Sequence, residues 1–94
     1  MISARHYCIR AKDALAERGK DRDSGEERSM SRIVATFNAM TGYDLTEREG
    51  WAFMCCLKMV RAMTTPSGKV DDYVDLCAYA ALMGESARLE LEAE

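Results

Sequence analysis

Two segments of this chain begin with the same helix-start signature, and this signature limits the fold more than any other feature. Ser24 and Thr46 are each followed three residues later by a glutamate, Glu27 and Glu49. In such a capping box, the hydroxyl oxygen and the carboxylate each accept a hydrogen bond from the backbone N–H of the other residue. Apolar residues at helical spacing follow both boxes, and no alternating strand pattern extends beyond a few residues. The sequence therefore predicts an all-α protein.

Glycine and proline separate four predicted helices, which together favour a small four-helix bundle. Their predicted bounds are Ser3 to Arg18 with a stop at Gly19, Ser24 to Gly42, Thr46 to the proline turn at 64–68, and Val70 to beyond Leu82. The predicted core residues recur at steps of three and four: Ala4, Cys8, Ala11 and Leu15 with Tyr7 alongside; Met30, Ile33, Val34, Phe37 and Met40; Gly50, Phe53, Met54, Leu57 and Val60; Val74, Cys77, Ala78, Ala81 and Leu82.

The length of 94 residues predicts a single domain, close to the lower limit for a self-sufficient core. Hydrophobic residues make up 48% of the chain, but aromatic residues only 7%, and there are 7 methionines. Such a soft core is often completed by a second subunit, so a homo-oligomer is predicted, with a dimer favoured. Residues 19–24 are predicted to be a flexible connector and residues 88–94 an acidic tail.

Charge and hydropathy exclude several classes of partner. The net charge of −3 argues against a nucleic-acid surface, which is usually basic. No apolar stretch is long enough to cross a membrane, and Arg5, His6 and Arg10 interrupt any signal peptide, so a cytoplasmic protein is expected. The four cysteines lack a CxxC spacing and are expected to be reduced core residues.

A basic pair and an acidic pair lie within otherwise apolar helices. Lys58 and Arg61 share a helix face, and Asp71 and Asp75 lie one turn apart in the next helix. Charges beside a core stripe are retained when they pair or bind a ligand. The two aspartates could share a divalent cation, and the two cations could hold a phosphate. The alternatives are an ion network between the helices and, for Lys58, a packed stem with its charge in water.

Further polar candidates flank these pairs. Glu27 and Arg28 could add a carboxylate and a guanidinium to the site, although Glu27 would also complete a cap and complement the helix dipole. Trp51 could stack on a base, or it could simply belong to the core. Asn38 lies within a helix on its core side and would need a hydrogen-bond partner there.

Several short motifs follow one another along the chain: Arg18-Gly-Lys, Glu27-Arg-Ser-Met30, Phe37-Asn38, Gly50-Trp51, Lys58-Met-Val-Arg61 and Asp71-x-x-x-Asp75-x-x-x-Tyr79-Ala80. Together they resemble a family of small α-helical proteins from tailed bacteriophages and prophages that is largely a domain of unknown function. The resemblance covers about residues 14–87. It implies a phage origin, the cytoplasm of an infected or lysogenic bacterial host, and a polar constellation that contains the charged candidates above. This chain departs from the family pattern at Lys69, where a histidine is usual, and around Asp23 and Ser24.

The predicted architecture is also loosely similar to the all-α nucleoside triphosphate pyrophosphohydrolases. Those bundles use two acidic pairs at spacing i, i+3 on consecutive helices to hold Mg²⁺ against a triphosphate. This chain shows one acidic pair at i, i+4 and the dipeptide Glu26-Glu27 at a helix start, so the pattern is matched in part.

Two functions follow from these observations, and whether the protein is an enzyme stays open at this point. The favoured one is a small phage accessory protein that acts by binding, to itself and to a host or phage protein, as an inhibitor or adaptor. The alternative is a Mg²⁺-dependent nucleotide-binding or pyrophosphohydrolase-like protein. In the alternative the metal ligands would be Asp71, Asp75 and Glu27, and the phosphate ligands Arg28, Lys58 and Arg61.

Overall fold

The computed structural model describes residues 1–20, 29–65 and 69–93, with the backbone alone at residues 19 and 20. Within these ranges the chain forms four helices and no strand, so the all-α prediction is confirmed there. None of these helices is long and apolar enough to cross a membrane. The Ser24 cap, Glu27, Arg28, residues 21–24 of the predicted connector and residues 66–68 of the proline turn lie outside the described residues. The helices are α1 (Ala4–Lys20), α2 (Ser29–Thr41), α3 (Glu47–Thr64) and α4 (Val70–Ala93).

The connection between α2 and α3 forms as the sequence predicts. α2 ends at Thr41, and Gly42 follows with a φ of 78°, a left-handed conformation that favours glycine. At the start of α3, the Glu49 N–H donates to the Thr46 hydroxyl at 3.2 Å, and the Thr46 N–H donates to the Glu49 carboxylate at 3.0 Å. The predicted capping box is therefore confirmed.

Asn38 closes the same connection from inside α2. Its side-chain amide donates to the Leu45 carbonyl at 3.0 Å, and its side-chain oxygen accepts from the Leu45 N–H at 3.0 Å. The hydrogen-bond partner that a mid-helix asparagine requires is thus the backbone of the following loop. This side chain holds α2 and α3 at a set separation, which indicates a structural role.

The predicted stop of the first helix at Gly19 is wrong, because α1 continues to Lys20. Glycine lowers helix propensity but ends a helix only where the backbone turns to positive φ, as it does at Gly42. At the other end of the chain, residues 88–93 are part of α4. Glu90 there forms an ion pair with Arg48 of α3 at 3.5 Å, so the acidic segment is joined to the helical body.

α4 lies at the centre of the described structure. The backbones approach closely between α4 and α3, between α4 and α1, and between α3 and α2. One apolar cluster joins α2, α3 and α4 and also contacts Leu15 of α1; its buried members are Met30, Val34, Trp51 and Leu82. A second cluster lies between α1 and α4, with Ala11, Val74 and Ala78 buried.

Part of the predicted core is exposed. The prediction is wrong for Ile33, Phe37 and Met40 of α2 and for Phe53 and Val60 of α3, which are all exposed. In the described part of the chain, α2 has only α3 as a close neighbour, and α3 turns its Trp51, Cys55 and Ala62 side inward. Helical spacing therefore identified the apolar arc, but the arc is wider than the surface that neighbouring helices cover. The smaller residues Ala4, Cys8 and Ala81 are exposed as well.

The cysteines divide into two groups. All four are free, and Cys55 is buried while Cys77 is half-buried. Burial raises the pKa of the Cys55 thiol, with a smaller contribution from the adjacent Cys56. Cys8 and Cys56 are exposed, so the prediction that they lie in the core is wrong.

Gly50 allows α2 and α3 to approach each other, and this generates the first prediction. A Cβ at Gly50 would overlap the buried Met30 sulfur and meet Val34 Cγ1 at 3.0 Å. Gly50→Ala should therefore destabilise the protein by about 1–3 kcal/mol, although alanine is the better helix former. A Cβ at Gly84 of α4 would meet no atom within 4 Å beyond its chain neighbours and its own helix backbone, so Gly84→Ala should stabilise by about 0.5–1 kcal/mol. Urea denaturation measures both changes, and the same sign for both would contradict the close approach.

The capping box makes the stability depend on pH. Hydrogen bonds from the Thr46 backbone and then from its side chain lower the pKa of Glu49. A carboxylate whose pKa is lower in the folded state stabilises that state above its unfolded pKa, and this contribution is lost as the pH falls through the folded pKa. The difference in unfolding free energy between wild type and Glu49→Gln should therefore be largest near neutral pH and shrink below about pH 4. Urea titrations from pH 3 to 7 measure it, and a difference independent of pH would contradict this assignment.

Candidate functional site: a charged cluster on three helices

A group of charged side chains converges where α1, α3 and α4 meet. The Lys58 ammonium lies 2.9 Å from one carboxylate oxygen of Asp75 and 3.9 Å from Asp72. The Arg18 guanidinium donates to the other Asp75 oxygen at 2.9 Å. Both oxygens of Asp75 are thus bound by cations, one from α1 and one from α3. We call Arg18, Lys58, Asp72 and Asp75 the charged cluster.

The cluster is largely removed from water. The exposed fraction of the side chain is 11% for Lys58, 12% for Asp72, 22% for Asp75 and 26% for Arg18. At such exposure the mutual attraction is stronger than on the surface, and an unpaired charge would be costly. Lys58 therefore does not place its charge in bulk water, which was one of its predicted alternatives.

Two aromatic rings line one side of the cluster. Tyr79, one turn after Asp75, stacks on Trp51 with a centroid separation of 5.5 Å and an interplanar angle of 28°. The Arg18 guanidinium carbon lies 4.9 Å from the Tyr79 centroid, a distance at which the cation attracts the ring electrons. Trp51 is only 5% exposed, so its stacking partner is Tyr79 and its ring is not open to a base.

Helical spacing explains why these side chains share one region. On α4, steps of three and four residues lead from Asp72 through Asp75 and Tyr79 to the buried Leu82. On α1, Arg18 follows the buried Ala11 by seven residues and therefore lies near the same face. The members of the charged cluster on α1 and α4 therefore lie on the same helix faces as the buried apolar residues.

The predicted site residues are only partly brought together. Lys58 and Asp75 meet, whereas Asp71 turns toward α1 and forms an exposed ion pair with Arg10 at 3.2 Å. Arg61 is exposed and forms no part of the charged cluster. The acidic pair beside Lys58 is therefore Asp72 with Asp75, at spacing i, i+3. Glu27 and Arg28 lie outside the described residues.

Sequence reasoning missed three contributors to the site: Arg18, Asp72 and Tyr79. Negative charge is favourable in the first turn of any helix, so the position of Asp72 there does not by itself indicate a site. No local signal distinguishes it from Asp71, one step earlier on the same helix. Arg18 and Tyr79 belong to the motifs that resemble a family, but their spacing alone indicates no role.

An open cleft adjoins Asp75 between α1 and α4. Its volume is about 490 Å³. Four of its lining residues are carboxylates and one is an arginine, so the cleft would repel phosphate oxygens. Among the residues that the structure describes, no three His, Cys, Asp or Glu side chains are grouped so that they could hold a metal ion. The charged and apolar residues that line the cleft are Arg10, Asp13, Ala14, Glu17, Asp71, Val74 and Asp75.

The chain belongs to a family described as a domain of unknown function (DUF6378), whose family model matches residues 9–87. The predicted membership of an uncharacterised family is thereby confirmed. The match contains the whole charged cluster and the Trp51–Tyr79 stack. No curated protein and no solved structure matches this chain.

The ion pairs of the charged cluster generate a paired prediction on Asp75 and Asp71. Asp75→Asn leaves Arg18 and Lys58 without their full countercharge in a half-dry site, so it should destabilise by about 2–4 kcal/mol. Asp71→Asn makes the same chemical change in an exposed pair and should alter stability by less than about 1 kcal/mol. Urea denaturation at neutral pH measures both. Equal effects of the two substitutions would contradict the central position of Asp75.

Proposed function

We propose that this chain acts by binding rather than by catalysis, as a small phage-encoded accessory protein that associates with itself and with a host or phage protein. The observation that carries the proposal is the double ion pair at Asp75. Both carboxylate oxygens already accept a cation of the same chain, at 2.9 Å each. A divalent metal ion bound to Asp75 would lie close to both of these cations, and their repulsion opposes its binding. The phage origin rests on the resemblance of the motifs in the sequence.

Charge balance within the cluster supports the same function. Arg18 and Lys58 contribute two positive charges, and Asp72 and Asp75 contribute two negative charges. No excess of positive charge is left to hold a triphosphate, and no excess of negative charge is left to hold Mg²⁺. A neutral and largely buried network of this kind orients the helices from which its members come.

A second candidate function, nucleotide binding, is favoured by one specific observation. The Nη1 atom of Arg18 is buried and has no hydrogen-bond partner among the described residues. A buried guanidinium nitrogen without an acceptor could receive a phosphate oxygen. In that function Arg18 and Lys58 would bind phosphate, and the i, i+3 pair Asp72 and Asp75 would be released to hold Mg²⁺. The acidic pairs of the all-α pyrophosphohydrolases have this same i, i+3 spacing.

Thermal melting distinguishes the two functions. The protein is melted alone, with Mg²⁺ or Mn²⁺, and with each metal plus each of the four deoxynucleoside triphosphates. A ligand at 100 times its dissociation constant adds roughly 2.7 kcal/mol, which shifts the Tm of a domain of this size by about 10 °C or more. We expect no shift.

A shift that needs both the metal and the nucleotide, and that is absent in Asp75→Asn, would overturn the proposal in favour of nucleotide binding. Asp71→Asn is the matched control, because it removes a carboxylate of the neighbouring cleft and leaves the charged cluster intact. A nucleotide effect that Asp71→Asn abolishes would also contradict the proposal, and would locate the ligand in the cleft between α1 and α4.

A further inference from the structure

α2 and α3 expose a set of large apolar side chains on adjoining surfaces. Their exposed fractions lie between 40% and 80%, well above the exposure of a core residue. The exposed thiol of Cys56 lies among them. We call this set the apolar face; its members are Ile33, Phe37 and Met40 on α2 and Phe53, Cys56, Val60 and Met63 on α3.

A groove runs between the two helices within the apolar face. Its volume is about 600 Å³, and Ile33, Phe37, Phe53 and Cys56 are among its lining residues. Glu49, at the start of α3, is the one charged residue among those that line it. A surface of this composition favours binding of an apolar partner and offers few groups that could bind a charged ligand.

The spacing along α3 is that of a helix-packing seam. The positions 53, 56, 60 and 63 follow steps of three, four and three residues. Residues with this spacing share one stripe of a helix, and stripes of this kind pack into the stripes of a second helix. The stripe lies on the side of α3 roughly opposite Lys58, so the core and the charged cluster do not cover it.

From these observations we infer that a second copy of this chain covers the apolar face, in a symmetric dimer that uses the same surface on both subunits. This inference rests on the self-association in the proposed function and supplies its surface. A second copy presents the same apolar stripe whenever the protein is present, so the face can be covered at all times without another partner. In such a dimer Ile33, Phe37 and Met40 of α2 would be buried, as their helical spacing predicts.

The size of the face and the state of the core support this occupant. Covering the exposed parts of these side chains would bury on the order of 800 Å² per subunit, which is typical of a stable protein interface. Within one chain, no large side chain of the described residues is fully buried. A chain of this length gains the apolar burial that it lacks when a second subunit closes the open side of the α2–α3 pair.

Electrostatic repulsion does not oppose this arrangement. The carboxylate-lined cleft lies between α1 and α4, whereas the apolar face belongs to α2 and α3. Joining two copies through the apolar face therefore leaves the acidic clefts apart, although each chain carries a net charge of −3. The remaining repulsion is screened at physiological ionic strength over about 8 Å.

Sedimentation equilibrium of wild type and two variants tests the inference. Wild type should be a dimer that dissociates on dilution. The double variant Phe53→Glu and Met63→Glu should be a folded monomer, because both side chains are exposed within one chain and the new charges would be buried only in the dimer. Ile9→Glu is the matched control: Ile9 is an exposed apolar residue of α1, outside the apolar face, and this variant should remain a dimer.

The reactivity of two cysteines in the wild-type protein provides a second test of the dimer. Cys8 on α1 and Cys56 on the apolar face are both exposed within one chain. At concentrations well above the dimer dissociation constant, maleimide should label Cys56 slower than Cys8 by about tenfold or more, as mass spectrometry of the peptides would show. The difference should disappear in the Phe53→Glu and Met63→Glu variant.

A monomeric wild type at every concentration, with Cys56 as reactive as Cys8, would overturn the inference. So would an oligomer that survives the double substitution on the apolar face, because its interface would lie elsewhere. A monomeric wild type would also overturn the self-association in the proposed function, whereas an oligomer with another interface would overturn this inference alone. The choice between binding and catalysis is decided separately by the nucleotide melting experiment.

Discussion

The ion pairs at Asp75 are the interaction on which the arrangement of the described helices depends most. One carboxylate of α4 binds Arg18 from α1 and Lys58 from α3, each at 2.9 Å. Removing these charges from water costs free energy that offsets much of their attraction. The network favours one rotation and one register of α1, α3 and α4, because any other arrangement would leave a charge buried without its partner.

Because the apolar core is small, polar contacts have a larger part in setting the helix positions. Apart from Trp51, the buried residues of the apolar clusters are medium-sized or small, with Ala11 and Ala78 among them, and such side chains can repack with little loss. The charged cluster, the Asn38 hydrogen bonds and the close approach at Gly50 cannot repack in this way. They set the positions of the helices, and α2, whose backbone closely approaches only that of α3 among the described helices, keeps its outer apolar side exposed. The internal pairing of charge and the exposure of apolar surface both favour a protein that binds.

Sequence patterns predicted the elements better than the site. Thr46, Gly42 and Asn38 act through backbone groups within a few residues, so their roles could be read from local spacing. Lys58 and Asp75 could be singled out because a charge in an apolar helix needs a partner. That Asp72 and not Asp71 joins them could not be predicted, since the two differ by one step of helix rotation, and only the packing of α4 between α1 and α3 selects between them.

The sequence by itself determined where the α2–α3 connection forms and which helix sides are apolar, because capping and periodicity depend on neighbours along the chain. The tertiary structure alone decided which part of each apolar arc is covered, so that Trp51 is buried while Phe53 is exposed two residues later. It also decided that Arg18 shares Asp75 with Lys58. Both outcomes depend on the positions of helices that are distant in the chain, and no local free energy specifies those positions.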